Sequence, residues 1–141
     1  MTDIERDICE TQQMIYEHMC NQGYDMKSFS DAYLKSDFCR RAMDTLYSRF
    51  QLEFPTECED FFWPEIKDQV EKMEDGFQFN ADVACWIGYT YRQLYFETQI
   101  PSRELVELIP FEVMCRYYPG MHTIDEDMAA EIMIKNMERK R

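Results

Sequence analysis

The chain has 141 residues, 45% of them hydrophobic and 15% aromatic, and a formal net charge of −13 at neutral pH. That length corresponds to one domain, and the apolar share is enough for a packed core, which excludes a disordered chain. The charge, 28 acidic residues against 15 Lys and Arg, excludes nucleic-acid binding by the surface at large, because such a surface repels phosphate backbones.

Apolar residues recur at three- and four-residue steps, with almost no β-branched alternation. This is the period of helices with one buried face, and it predicts an all-α fold. The first helix is expected from Thr2 to Gln22, with Ile4, Ile8, Ile15 and Met19 on one stripe, Thr2 as N-cap and Gly23 just past the end. A second helix starts at Ser28 or Ser30 and is carried to Phe50 by the ladder Leu34, Phe38, Ala42, Leu46, Phe50. Pro55 ends it. Thr56 and Glu59 have capping-box spacing, and Pro64 suits the first position of a short helix reaching Asp75, closed by Gly76. Asn80 opens the next helix, which runs to Thr98 with Val83, Trp86, Ile87, Thr90 and Leu94 inward. Gly88 inside it marks the close approach of a neighbour.

Ser102 then caps Arg103 to Ile109, and Pro110 restarts a helix through Tyr118. Pro119-Gly120 is expected to break the chain. Thr123 and Glu126 form a second capping-box spacing, and Ile124, Met128, Ile132 and Lys135 share one face of the last helix, followed by the basic tail Glu138 to Arg141. The expected architecture is a single helical domain over residues 1–141, a compact bundle of about six to eight short and medium helices.

No apolar run approaches the ~18 to 20 residues of a membrane span, and Met1-Thr2-Asp3-Ile4-Glu5 lacks the basic and apolar regions of a signal peptide. A reducing cytoplasm is therefore expected, with the six cysteines, none of them in a C-x-x-C spacing, acting as small buried hydrophobes. His18 and His122 belong to no metal-ligand spacing. Phosphate loops, serine elbows and isolated carboxylate pairs are absent as motifs, so neither a metal nor a cofactor is expected.

The negative charge is uneven. Residues 53–75 hold nine acids and two bases, a net −7, while residues 32–52 come to +2. The acidic stretch also contains Phe54, Phe61, Phe62 and Trp63. Two readings compete: a solvated face with the aromatics turned inward, or a docking surface for a basic protein, with an acidic rim steering encounter and an aromatic centre supplying affinity. On the second reading the contact residues are Glu57, Glu59, Asp60, Phe61, Phe62, Trp63, Glu65, Asp68 and Glu71. Tyr89 and Tyr95 join them, because Trp86, Tyr89, Tyr91, Tyr95 and Phe96 cannot all face one side of a helix.

Arg116 and His122, with five residues between them, resemble the loose Arg…His pattern of HEPN ribonucleases, in which a cation holds the scissile phosphate beside a proton-transferring imidazole. The stretch from Gln99 to Ile109 is similar to the first half of a helix-turn-helix. The helix after it, however, offers Arg116 and no Asn, Gln or Lys for base edges, so a plain αα-corner is expected. The stretches Ser36 to Ala42 and Trp86 to Arg92, and the ending Tyr118…His122-Thr123 before an acidic helix, resemble small uncharacterised helical bacterial proteins. The ending is similar to small helical proteins encoded beside ADP-ribosyltransferase-like toxins in toxin–antitoxin loci. That resemblance implies an accessory or antitoxin-like role and supplies no catalytic residue. The expectation is an acidic, non-enzymatic protein that binds and neutralises a basic partner such as a nuclease or toxin, either as an antitoxin or as a phage-type inhibitor (an anti-CRISPR protein mimicking nucleic-acid charge). The alternatives are a HEPN-like ribonuclease using Arg116 and His122, and a structural homo-oligomer.

Overall fold

Two long antiparallel helices form the centre of the molecule: α1 (Asp3–Asn21) and α4 (Ala81–Thr98). Contacts that run in opposite senses along the two set their direction. The Cys20 thiol meets the Phe79 carbonyl, the Cys85 thiol meets Glu17, and the Gln12 amide nitrogen donates to the Gly88 carbonyl at 2.9 Å. Gly88 lies where α1 comes closest. A Cβ built there would stand 2.7 Å from Cγ of Tyr16, closer than carbon atoms approach. The structure, a computed structural model, describes residues 1–140, so Arg141 of the basic tail lies outside the described residues.

The ends of α1 follow its sequence. Thr2 and Glu5 form a reciprocal capping box, and Gly23 at φ +85° takes the left-handed turn that other residues adopt only with strain. Ile8, Ile15 and Met19 are buried and Ile4 is exposed. Around this pair sit α2 (Met26–Leu34), α3 (Pro55–Ile66), α5 (Ser102–Leu108), α6 (Phe111–Met121) and α7 (Glu126–Glu138). On one flank Tyr16, Phe29, Tyr33, Phe38 and Phe62 interlock at ring-centroid distances between 5.3 and 6.3 Å, and the Tyr16 hydroxyl pairs with Ser30 Oγ at 2.7 Å. On the other, the Tyr91 hydroxyl donates to the Ile109 carbonyl of the α5–α6 corner, and Gln93 donates to the Glu126 carbonyl of α7. Helix accounts for 74% of the residues, and pairing between extended segments among the described residues is a single isolated bridge, Tyr24 to Lys72. The fold is all-α; the described residues form seven α-helices, one π-helical turn, Cys39–Met43, and two short 3-10 turns, Arg49–Leu52 and Lys67–Gln69.

The long second helix does not form. The helix has Asp25 as its N-cap, whose side chain accepts from the Ser28 N–H, and stops at Leu34. Ser36 then donates to the Tyr33 carbonyl and accepts from the Cys39 N–H, while the Glu65 carboxylate accepts from the N–H groups of Asp37 and Phe38 at 2.6 and 3.0 Å. The chain restarts as the π turn and leaves helical geometry again at Asp44.

The cause of that second break is a buried charge on α4. Arg92 is 0% exposed and donates from Nη1 to Asp44 Oδ1 at 2.6 Å; its other nitrogens reach Gln12 Oε1, Cys39 Sγ and Ser102 Oγ. Asp44 also accepts from the N–H and hydroxyl of Ser102. An unpaired guanidinium in this setting costs several kcal/mol or more, so the backbone turns to bring the carboxylate in, and the apolar ladder yields. Ser102 serves this network rather than capping α5, whose N-cap position is Pro101.

Four further expectations are corrected. Thr56 lies inside α3 rather than capping it; Phe54 holds the N-cap position and Pro55 the first turn. Pro64 does not open a helix. It lies within α3, where both it and Asp60, whose carbonyl loses its backbone partner, are exposed to water. Residues 70–80, the later part of the expected short helix included, are not helical. Pro119 and Gly120 lie within α6, in its last turn, instead of ending it. The N-cap of α7 is Asp125, and its inward face is Ala129, Ala130, Met133 and Met137, with Met128 and Ile132 exposed. Small residues at positions 129 and 130 let α7 settle close to its neighbours, which the bulkier stripe would not.

Candidate interaction surface

Between Asp44 and Pro55 the chain is held by polar anchors at both ends. Asp44 is fixed by Arg92 and Ser102. The buried Gln51 side chain donates to the Met43 and Thr45 carbonyls and accepts from the Ser48 N–H, and Ser48 Oγ accepts from the Phe50 N–H. With backbone and polar side chains turned inward to these partners, the apolar side chains between them are left outside. Leu46 is 90% exposed, Tyr47 92%, Leu52 62%, Phe54 72% and Phe61, on the facing helix α3, 54%. Single exposed apolar residues are ordinary on protein surfaces; five large ones within sixteen residues are not.

Phe61 is tied to this segment. Its ring lies edge-on to Phe50 at 4.7 Å, and the Arg49 guanidinium sits over both rings, at 4.6 Å from Phe50 and 5.1 Å from Phe61. A shallow cleft of about 310 Å³ opens beside them, walled by Phe38, Arg41, Ser48 and Glu65. Carboxylates crowd the edge. The Glu57 carboxyl is raised above its ordinary range, first by a hydrogen bond with Glu53 and then by the charges of Glu53 and Asp60. Glu53, Glu57 and Asp60 have no ion-pair partner within 4.0 Å among the described residues, and the Arg49 charge offsets part of the rise at Glu57.

The expected contact residues divide. Glu57, Asp60 and Phe61 lie together on this surface. Phe62 cannot take part: it is fully buried against Phe29, Tyr33 and Phe38, because the next position on a helix points about 100° away from the last. Trp63 is half-buried against Tyr24, 4.7 Å between centroids. Glu59 pairs with His18 Nε2 at 3.0 Å and ties α3 to α1, and Glu65 is the cap for residues 37 and 38. Asp68 is exposed on the short turn after α3, and Glu71 belongs to a separate groove of about 450 Å³ with Lys27, Asp31 and Glu112. Tyr95 lies over Arg92, its ring centroid 5.0 Å from the guanidinium carbon. Tyr89 faces α7, where burial first and then the Glu126 carboxylate push its hydroxyl pKa up. Leu46, Tyr47 and Leu52 escaped the sequence reading because Leu46 completed an apolar ladder. The contrary signal was Asp44-Thr45 before it and Ser48 after it, residues that favour turns over helix interiors.

Chemistry elsewhere is quiet. All six cysteines are free; burial pushes the Cys9 and Cys58 thiols up to about 12 and Cys39 up to about 11, so these are protonated and poor nucleophiles at neutral pH. Among the described residues no group of three or more His, Cys, Asp and Glu is placed to hold a metal ion, and no helix is long and apolar enough to cross a membrane. Arg116 and His122 sit six residues apart on continuous helix, about 9 Å along the axis and roughly 120° around it. The His122 Nδ1–H donates to the Tyr118 carbonyl, and its ring stacks on Tyr118 at 4.1 Å. Compared with family models, curated proteins and solved structures, the chain matches none.

Proposed function

We propose that this is an acidic, non-enzymatic interaction protein of the cytoplasm that binds and neutralises a basic partner protein. The observation that carries the reading is the anchored, outward-facing segment Leu46, Tyr47, Leu52, Phe54 and Phe61 beside the unneutralised carboxylates of Glu53, Glu57 and Asp60. Its aromatic and leucine side chains supply area that gains by leaving water, and the carboxylates supply a field that accelerates encounter with a cationic surface. The surrounding charge of −13 favours a partner whose own site is basic, such as a nucleic-acid- or nucleotide-binding cleft. An antitoxin and a phage inhibitor of a nuclease, including an anti-CRISPR protein, are two versions of this mechanism. The resemblance of the last helices to proteins of toxin–antitoxin loci supports the first.

The test is site-specific photocrosslinking from positions 47 and 61 in the native host, followed by association kinetics with the captured protein. The expected partner is basic, its association slows steeply from low to physiological salt, and Glu57→Lys with Asp60→Lys slows it further while Phe54→Asp accelerates dissociation. A neutral or acidic partner, or kinetics indifferent to salt and to these substitutions, overturns the reading. So does RNA cleavage by the purified protein that is lost in His122→Ala, or self-association in light scattering that is abolished by Phe54→Asp.

A further inference from the structure

Residues of α1, α4, the end of α6 and α7 border a half-open cavity of about 260 Å³. Its lining joins aromatic and amide side chains to an apolar wall of Met121, Ile124, Ala129 and Met133. Trp86, Tyr89 and His122 contribute the aromatic residues of the lining, and Gln13, Gln93 and Glu126 the polar ones. Tyr118 stacks behind His122 and meets Trp86 edge-on at 5.8 Å, so the rings brace one another.

The polar groups are not used up within the protein. Gln93 is 2% exposed, and its amide nitrogen donates to the Glu126 carbonyl at 3.2 Å and to Asp127 Oδ1 at 3.5 Å; its amide oxygen has no partner among the described residues. No fully enclosed side-chain nitrogen or oxygen among the described residues lacks a partner, so this oxygen keeps some access to solvent, and Gln93 is one of the residues lining the cavity. The Gln13 amide and the Trp86 indole N–H likewise make no hydrogen bond to the described residues. His122 donates from Nδ1 to the Tyr118 carbonyl, and its Nε2 has no partner among the described residues. Glu126 is already paired with Arg6 Nε at 3.4 Å.

We propose that this cavity binds an uncharged, planar heteroaromatic molecule of nucleobase size, stacked on Trp86 and Tyr89 and held at its edge by Gln13 and Gln93. Ring faces reward a flat π-system, and two carboxamides offer the paired donor and acceptor that a base edge requires. No Lys or Arg lines the cavity, so a phosphate is not accommodated with the ring. The neutralised carboxylate argues against an ammonium ligand, which an aromatic cage with a free Glu126 would favour. The volume lies just below that of pockets for drug-sized ligands, which matches a single base.

The experiment uses the full chain, titrated separately with adenine, guanine, cytosine, uracil and choline while amide NMR spectra are recorded. The expected result is a saturable, concerted shift of the Gln13 and Gln93 side-chain NH₂ signals and the Trp86 indole N–H with at least one base. The same base should quench fluorescence in Trp63→Phe, which leaves Trp86 as the only tryptophan of the two in the chain. Gln13→Ala should weaken that base about 2- to 10-fold, the effect of one neutral hydrogen bond. Silence with all four bases overturns the proposal, as do shifts lying outside these three side chains or saturation by choline alone. Because Gln13 is a half-exposed surface residue without partners, its replacement tests the site without threatening the fold.

Discussion

The α1–α4 pair and the segment from Ser36 to Glu53 hold their shapes by different means. In the pair, two amphipathic helices meet face to face, Gly88 lets Tyr16 in, and buried Ile, Met and Leu side chains carry the energy. In the segment, apolar spacing is equally regular, yet the backbone obeys a handful of polar groups: Ser36, Glu65, Asp44 and Gln51. The lesson is one of magnitude. Leaving Leu46 in water forfeits about 2 kcal/mol of burial, whereas leaving Arg92 without its carboxylate costs more than that and cannot be recovered by repacking.

The contrast is easiest to break at Asp44. Asp44→Ala leaves Arg92 buried without its counter-ion, and urea unfolding should register a loss of about 3 to 5 kcal/mol. Arg92→Met combined with Asp44→Ala should recover much of it, because no charge is then stranded. A double variant no more stable than the single would mean that the segment is held by something other than the ion pair.

A smaller effect is expected within the helix pair. Gly88→Ala places a methyl group against the Tyr16 ring and should destabilise by about 1 to 3 kcal/mol despite the better helix propensity of alanine. A rise in Tm would show that α1 can move aside, and that the pair is looser than its geometry.

The smallest effect sharpens the comparison most. Leu46→Ser should change stability by no more than about 0.5 kcal/mol, the ordinary range for a surface site. Were the ladder Leu34 to Phe50 one helix face, Leu46 would be core, and truncating it would cost about 2 to 5 kcal/mol. Thermal melts of the two proteins side by side separate these outcomes.

How much was legible follows from the same contrast. The boundaries of α4, Asn80 to Thr98, could be read from the Asn cap and the apolar period, and its close packing at Gly88 from one glycine in a helical context. Arg92 stood in plain view on that helix, but nothing local says that a charged side chain will point inward. It does so because the neighbouring positions Gly88, Thr90, Tyr91 and Leu94 are buried too, and α4 is enclosed nearly all round. Among the expected contact residues, Glu57, Asp60 and Phe61 are grouped on one exposed surface, while Phe62, one residue on, belongs to the core. Composition can name a stretch; it cannot assign its two faces without knowing which side meets the core.

Sequence alone determined the all-α class, the caps of α1 and α4, and the sign of the field around the molecule, because these depend on hydrogen bonds within a turn or two and on a simple sum of charges. The tertiary structure decided where the second helix stops, which side of α7 turns inward, and which aromatic rings remain in water. The end of the second helix and the course of the segment after it hang on groups that meet their partners across a long stretch of chain: Asp44 with Arg92, and Glu65 with residues 37 and 38. Local preferences of a few tenths of a kcal/mol per residue give way when such a partner must be reached, since a buried charge left alone costs several times as much.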